Sequence, residues 1–131
     1  MNGTTGKALI DSELTGAIIG HAIEVHSHLG PGLLESVYEA CLTYELTAAG
    51  LSVARQRHLP VVYKDIRIDE GLRMDLVVEN KVVVELKCVE KIQPIHEAQL
   101  YTYLKLSGIR TGLIINFLTK VLMDGIKRMV C

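Results

Sequence analysis

Residues 72–88, "LRMDLVVENKVVVELKC", constrain the fold more than any other stretch of this chain. Two runs rich in Val and Leu flank Glu79-Asn80-Lys81, which reads as a tight turn. The pattern predicts strands over 72–78 and 82–88, joined as an antiparallel hairpin. Side chains alternate along a strand. Val82, Val84 and Leu86 therefore share one face, and Val83, Glu85 and Lys87 share the other. A lone charge taken out of water costs several kcal/mol, so Glu85 and Lys87 need partners or a metal. If Asn80 sits at the centre of the turn, paired residues have numbers that sum to 160. Asp75 then faces Glu85, Val77 faces Val83, and Arg73 faces Lys87. Directly opposed residues stand ~4.5–5.5 Å apart at Cβ. Two carboxylates that close repel unless a cation lies between them. Magnesium suits, because it is held by one or two carboxylates together with waters and phosphate oxygens. A slip of one residue would put Asp75 on the opposite face and remove this site. The tripeptide Glu-x-Lys alone says little, since Glu79-Asn80-Lys81 is a second copy in an ordinary turn. The competing expectation is a salt bridge carried on the strand.

The flanking segments set the fold class. Asp11 or Ser12 is placed to cap a helix running to about His28, with Leu14, Ile18, Ala22, Val25 and Leu29 at helical spacing. Gly30-Pro31-Gly32 breaks it. A second helix is expected over 33–49, with Leu34, Tyr38, Cys41 and Leu42 on one side and Gly50 as its stop. Residues 52–63 read as one strand, with Pro60 marking an edge or a bend. Pro94 opens a helix to about Leu106, and Gly108 ends it. Residues 111–117 form an apolar strand, and 126–130 suit a last one. The order α-α-β-β-β-α-β, with room for one more strand, predicts an α/β domain: a mixed central sheet flanked by helices.

Size and composition exclude several classes. A chain of 131 residues suits one domain over 11–131, with residues 1–10 as a loose arm. No apolar run approaches the ~20 residues of a membrane span, and the first ten residues are too polar for a secretory signal. A cytoplasmic protein is expected. Three cysteines without a CxxC pair argue against a disulfide framework or a zinc site. Net charge is −1, against the basic balance of an obligate nucleic-acid binder. The charge is uneven: residues 1–52 carry six acidic groups and one basic, and residues 105–131 carry one acidic and five basic. Lys105, Arg110, Lys120, Lys127 and Arg128 are thus a candidate basic patch. His21, His26 and His28 lack the i, i+4 pair of a zinc helix.

Two further elements bring polar groups toward the hairpin. His96, Gln99 and Tyr103 are three and four apart, so they share a helix face. Gln99 and Tyr103 are placed to orient a phosphate or the lysine. Glu35 borders the stripe of the second helix, where it either faces the same cluster or favours the helix N-terminus.

Together, Asp75, Glu85-Leu86-Lys87 and Gln99-Leu100-Tyr101-Thr102-Tyr103 resemble the PD-(D/E)xK nuclease superfamily, in the branch with a Gln-x-x-x-Tyr helix. "GLLESVY", from Gly32 to Tyr38, matches the signature of the small GxxExxY proteins, a branch of that superfamily. The resemblance covers about residues 12–130. It implies a restriction-endonuclease-like fold. It also implies that Asp75 and Glu85 hold Mg2+ or Mn2+, with the Leu86 carbonyl as a further ligand. By the same resemblance, Lys87 positions or helps deprotonate the attacking water. Glu35 adds a direct or water-mediated metal contact, and Gln99 and Tyr103 steady Lys87 or the substrate. Met74 stands where the superfamily's name has proline. The expected activity is metal-dependent hydrolysis of nucleic acid, DNA before RNA. The alternative is a non-catalytic module of the same fold that binds nucleic acid or a protein. A homodimer joined through the first helix would supply two sites for two strands.

Overall fold

The computed structural model describes residues 11–131, so the expected arm over 1–10 lies outside the described residues. Two helices come first: α1 (Ser12–Leu29) and α2 (Glu35–Ala48). They are followed by β1 (Val53–His58), β2 (Val61–Tyr63), β3 (Ile66–Ile68), β4 (Arg73–Val78) and β5 (Val82–Lys87). Helix α3 (Pro94–Ser107), β6 (Thr111–Asn116), a 3-10 turn (Leu122–Gly125) and β7 (Ile126–Val130) complete the chain. Five strands form one sheet in the order β1-β4-β5-β6-β7, while β2 and β3 form a separate hairpin. Only β5 and β6 run parallel within the five-stranded sheet, and α3 makes the crossover between them. The sheet is mixed and helices cover it, the α/β, restriction-endonuclease-like class read from the sequence.

The hairpin forms in the expected register. Leu76 pairs with Val84, Val77 with Val83 and Val78 with Val82, each pair summing to 160. Glu79 and Asn80 take left-handed backbone angles, φ 55 and 54°, and the Lys81 N–H donates to the Val78 carbonyl at 2.9 Å. Both faces of β5 are buried, as the alternation demands. Val82, Val84 and Leu86 join a core with Ile18, Ala22 and Val25 of α1 and Tyr38, Leu42 and Leu46 of α2. Val83 joins a second core with Leu100, Tyr103 and Leu104 of α3. Each fully buried Val, Leu or Ile contributes about 1.5–3 kcal/mol. Their combined burial outweighs the several kcal/mol of one desolvated carboxylate, so the strand can carry Glu85 inward. Helix α3 sits close because residue 112 lacks a side chain. A Cβ on Gly112 would stand 2.8 Å from Leu100 Cδ1.

Several local expectations are corrected. Asp11 does not cap α1 with its side chain: it takes φ 55°, and its carboxylate accepts from the Thr111 hydroxyl at 3.0 Å. Ser12 is already helical. Leu29 is exposed rather than buried. The α1 stripe, expected outside the minimal core and available to a second copy, is buried in the larger core through Ile18, Ala22 and Val25. Helix α2 starts two residues late, and Leu34 before it is 74% exposed rather than on the buried side. Its end is as expected: the Gly50 N–H donates to the Thr47 carbonyl and the Leu51 N–H to that of Leu46, a Schellman stop with Gly50 at φ 87°. The expected single strand over 52–63 is broken at Pro60, and the β2–β3 hairpin was not anticipated.

Candidate functional site

The β4–β5 ladder ends at Leu76–Val84, one step short of the acidic pair. Asp75–Glu85 and Arg73–Lys87 are therefore not backbone pairs, contrary to the simple extension of the register. Side chains take over instead. The Asp75 N–H donates to Glu85 Oε2 at 2.8 Å, and the Leu86 N–H donates to Asp75 Oδ2 at 2.9 Å. Each carboxylate thus accepts a backbone N–H of the other strand. The two strands come apart there, and the acidic groups are brought together at the opening.

The groups around this opening identify themselves through their effect on one another. Glu85 is 4% exposed, and its carboxyl is pushed from 4.5 up to about 8, by burial first and then by Asp75. The Asp75 N–H and Lys87 oppose that rise, while Glu35 adds to it. Asp75 is also raised, mainly by burial, with the Leu86 N–H, Gln56 and Lys87 pulling it down. Glu35 lies at the rim and is raised by partial burial and then by Asp75, against Lys87 and a hydrogen bond from the Cys88 backbone. Tyr103 is 5% exposed, and its phenol is raised by burial and by Glu85 and Asp75, with a hydrogen bond to Gln99 acting the other way. Glu35, Asp75, Glu85, Lys87, Gln99 and Tyr103, which come from four elements, thus stand in one field. Lys87 makes no ion pair within 4 Å among the described residues, so its ammonium is not committed to one carboxylate.

His96 takes no part with Gln99 and Tyr103. Its Nδ1 accepts from the Gln93 N–H at 2.9 Å and closes the start of α3. Tyr38, the tyrosine of the "GLLESVY" segment, is also outside the cluster. It is fully buried and stacks on Phe117 with centroids 4.4 Å apart. Its hydroxyl donates to the Gly30 carbonyl and accepts from the Leu33 N–H, so it fixes the turn that delivers Glu35. His26 Nε2 binds the Thr119 carbonyl at 2.8 Å, a structural role.

Three contributors were not anticipated. Glu39, one turn after Glu35, is 7% exposed and accepts from Arg55 Nη2 at 3.1 Å. Its place was legible in hindsight, since i, i+4 residues share a helix face. Gln56 donates to both Glu39 and Asp75. Asn116, paired with Lys87 across β5–β6, holds the exit of β5 through both the N–H and the carbonyl of Val89.

Lys105 and Arg110 of the candidate basic patch lie away from the opening. Lys105 and Arg110 precede Thr111, which pairs with Val82 at the end of β5 remote from Lys87. Lys127 is paired with Glu97 at 3.4 Å.

Among the described residues, no group of three or more His, Cys, Asp or Glu side chains is arranged to hold a metal ion. The donor chemistry at the opening nevertheless fits a hard divalent cation of the two-carboxylate kind. Asp75 and Glu85 are oxygen donors whose carboxyls are raised first by burial, and then Glu85 by Asp75 and Asp75 by Glu39, a penalty on their charged forms that a cation offsets.

No curated protein and no solved structure matches the chain significantly. The family model of the PD-(D/E)XK nuclease superfamily matches residues 12–129, nearly its full length. That match spans the mixed sheet, the acidic hairpin and the helix of Gln99 and Tyr103, and the chain belongs to the PD-(D/E)XK nuclease superfamily.

Proposed function

We propose that this chain is a metal-dependent nuclease of the GxxExxY branch that hydrolyses phosphodiester bonds, with DNA as its substrate. The observation that carries the reading is the pair of Asp75 and Glu85 carboxyls, tied to each other's strands by backbone N–H groups and both raised in pKa, beside an uncommitted Lys87. Asp75 and Glu85 would hold Mg2+ or Mn2+ with the Leu86 carbonyl, and Glu35 would reach it through water. A divalent ion bound there polarises a phosphoryl oxygen and lowers the pKa of a bound water. Lys87 orients the attacking water and stabilises the negative charge that develops on the phosphate. Gln99 hydrogen-bonds Tyr103, and the pair steadies Lys87 and the phosphate from the α3 side. No described helix is long and apolar enough to cross a membrane, and we place the protein in the cytoplasm.

The test is cleavage of plasmid and oligonucleotide DNA with Mg2+ or Mn2+. Wild type should cut, and Asp75→Ala and Lys87→Ala should lose the activity. Equal activity in all three would mean a contaminant and refute the assignment. The scattered cations favour a second reading, in which the fold binds a partner without cutting. Calorimetry with Mn2+ separates the two, since a purely binding module would take up no ion at millimolar concentration.

A further inference from the structure

Gln56 has an unusual backbone for its place. It lies in β1 between the pairs Arg55–Leu76 and Arg57–Met74, which sets it opposite Asp75. Yet its φ is 49°, in the left-handed region that residues with a Cβ seldom occupy. Such a conformation persists only where the surroundings hold it. Here the side-chain amide nitrogen is held by two acids. Its Nε2 donates to Glu39 Oε1 at 2.7 Å and to Asp75 Oδ1 at 3.2 Å. Glu39 is buried, and its other oxygen accepts from Arg55 Nε at 3.2 Å and Nη2 at 3.1 Å. Asp75 Oδ2 is meanwhile occupied by the Leu86 N–H. The chain of contacts runs from Arg55 through Glu39 and Gln56 to Asp75 Oδ1, and with the Leu86 N–H on Oδ2 both oxygens of the carboxylate are fixed.

An amide suits this position better than a charged group. A carboxylate would repel Glu39 and Asp75, and a lysine would neutralise Asp75 outright. The amide donates to both acids without changing the charge that a cation would meet. Arg55 balances the charge of Glu39 on the side away from Asp75.

We propose that Gln56, anchored by Glu39 and Arg55, is a positioning residue that aims the Asp75 carboxylate at the metal site. The inference rests on the metal-site reading above for its consequence, and on the hydrogen bonds alone for its geometry. Partners of this kind, which orient a metal-binding carboxylate, typically change metal affinity by 10–100-fold when removed.

Two variants test it. Gln56→Gly takes the left-handed backbone without a Cβ penalty and should stay folded. Gln56→Asn keeps an amide and tolerates the backbone, but its reach is one methylene short. In the metal-free proteins, hydrogen exchange of the Leu86 amide reports whether Asp75 is still aimed. It should speed up about tenfold in both variants, and the Mn2+ dissociation constant should rise about tenfold. Unchanged Leu86 exchange in folded Gln56→Gly, or wild-type behaviour in Gln56→Asn, would overturn the proposal. So would a fall in melting temperature with Leu86 exchange and Mn2+ affinity intact, which marks a link that only joins β1 to α2. Absence of Mn2+ binding by wild type would remove the metal-site reading, and Leu86 exchange would still decide the positioning role.

Discussion

Replacing Glu85 by glutamine should change how the stability of the metal-free protein depends on pH. The Glu85 carboxyl stands at about 8 in the fold against an ordinary 4.5. Between those values the folded chain keeps a proton that the unfolded chain has released. A raised carboxyl therefore contributes full stability below pH 4.5 and loses it as pH rises through 8. The slope is about 1.4 kcal/mol per pH unit for one proton, and the whole interval corresponds to roughly 5 kcal/mol. Asp75 and Glu35 are raised in the same direction and add to the loss. Glutamine carries no proton to lose, and its Oε1 still accepts from the Asp75 N–H. Urea unfolding with a chelator present, at half-unit steps from pH 5 to 8.5, measures both proteins. Glu85→Gln should gain on wild type by about 2–5 kcal/mol toward pH 8.5. Added Mn2+ should flatten the wild-type curve, because binding displaces the Glu85 proton. Parallel curves for the two proteins would refute the claim that Glu85 is a buried, destabilised carboxylate.

Tyr38→Phe keeps the stack on Phe117 but leaves the Gly30 carbonyl and Leu33 N–H without their partner. It should cost about 1–3 kcal/mol in urea unfolding, a loss absent if the hydroxyl only fills space. Gly112→Ala drives a methyl against buried Leu100 and should destabilise by about 1–3 kcal/mol. Adding Leu100→Ala should make the Gly112→Ala step milder, and equal penalties in the two backgrounds would refute the close approach.

The sequence carried the hairpin well because its register depends on a short turn and an apolar pattern that tolerates no slip. It also carried the places of the candidate residues on regular elements: alternation puts Glu85 and Lys87 on one face of β5, and helical spacing puts Gln99 and Tyr103 on one face of α3. What it hid has a common cause. Gln56 reaches Asp75 through a left-handed backbone, and no residue pattern announces a positive φ in a glutamine. The β2–β3 hairpin buries little, with Val62 67% exposed and Tyr63 57%, so no apolar face marked it. Helical spacing sets Leu34 on one side with Tyr38, but Leu34 precedes the first turn of α2, where that spacing no longer governs direction.

The simplest alternative to a metal site was a salt bridge carried on β5, and the electrostatics of the fold argue against it. In a satisfied ion pair the cation favours the charged carboxylate, and its pKa falls below the ordinary range. Here Glu35, Asp75 and Glu85 all move the other way, although Lys87 pulls on each of them. One ammonium among three carboxyls, with no 4 Å partner among the described residues, leaves the cluster short of positive charge. A chain selected only for stability would gain by replacing Glu85 with an apolar residue, since a well-packed apolar group is often the more stable choice at a buried charge. The fold instead buries Glu85, gives its carboxylate a backbone N–H, and ends the β4–β5 ladder beside it. That arrangement holds two oxygen donors that a cation arriving from solution can claim by displacing the Glu85 proton, which suits the proposed metal site better than a structural bridge.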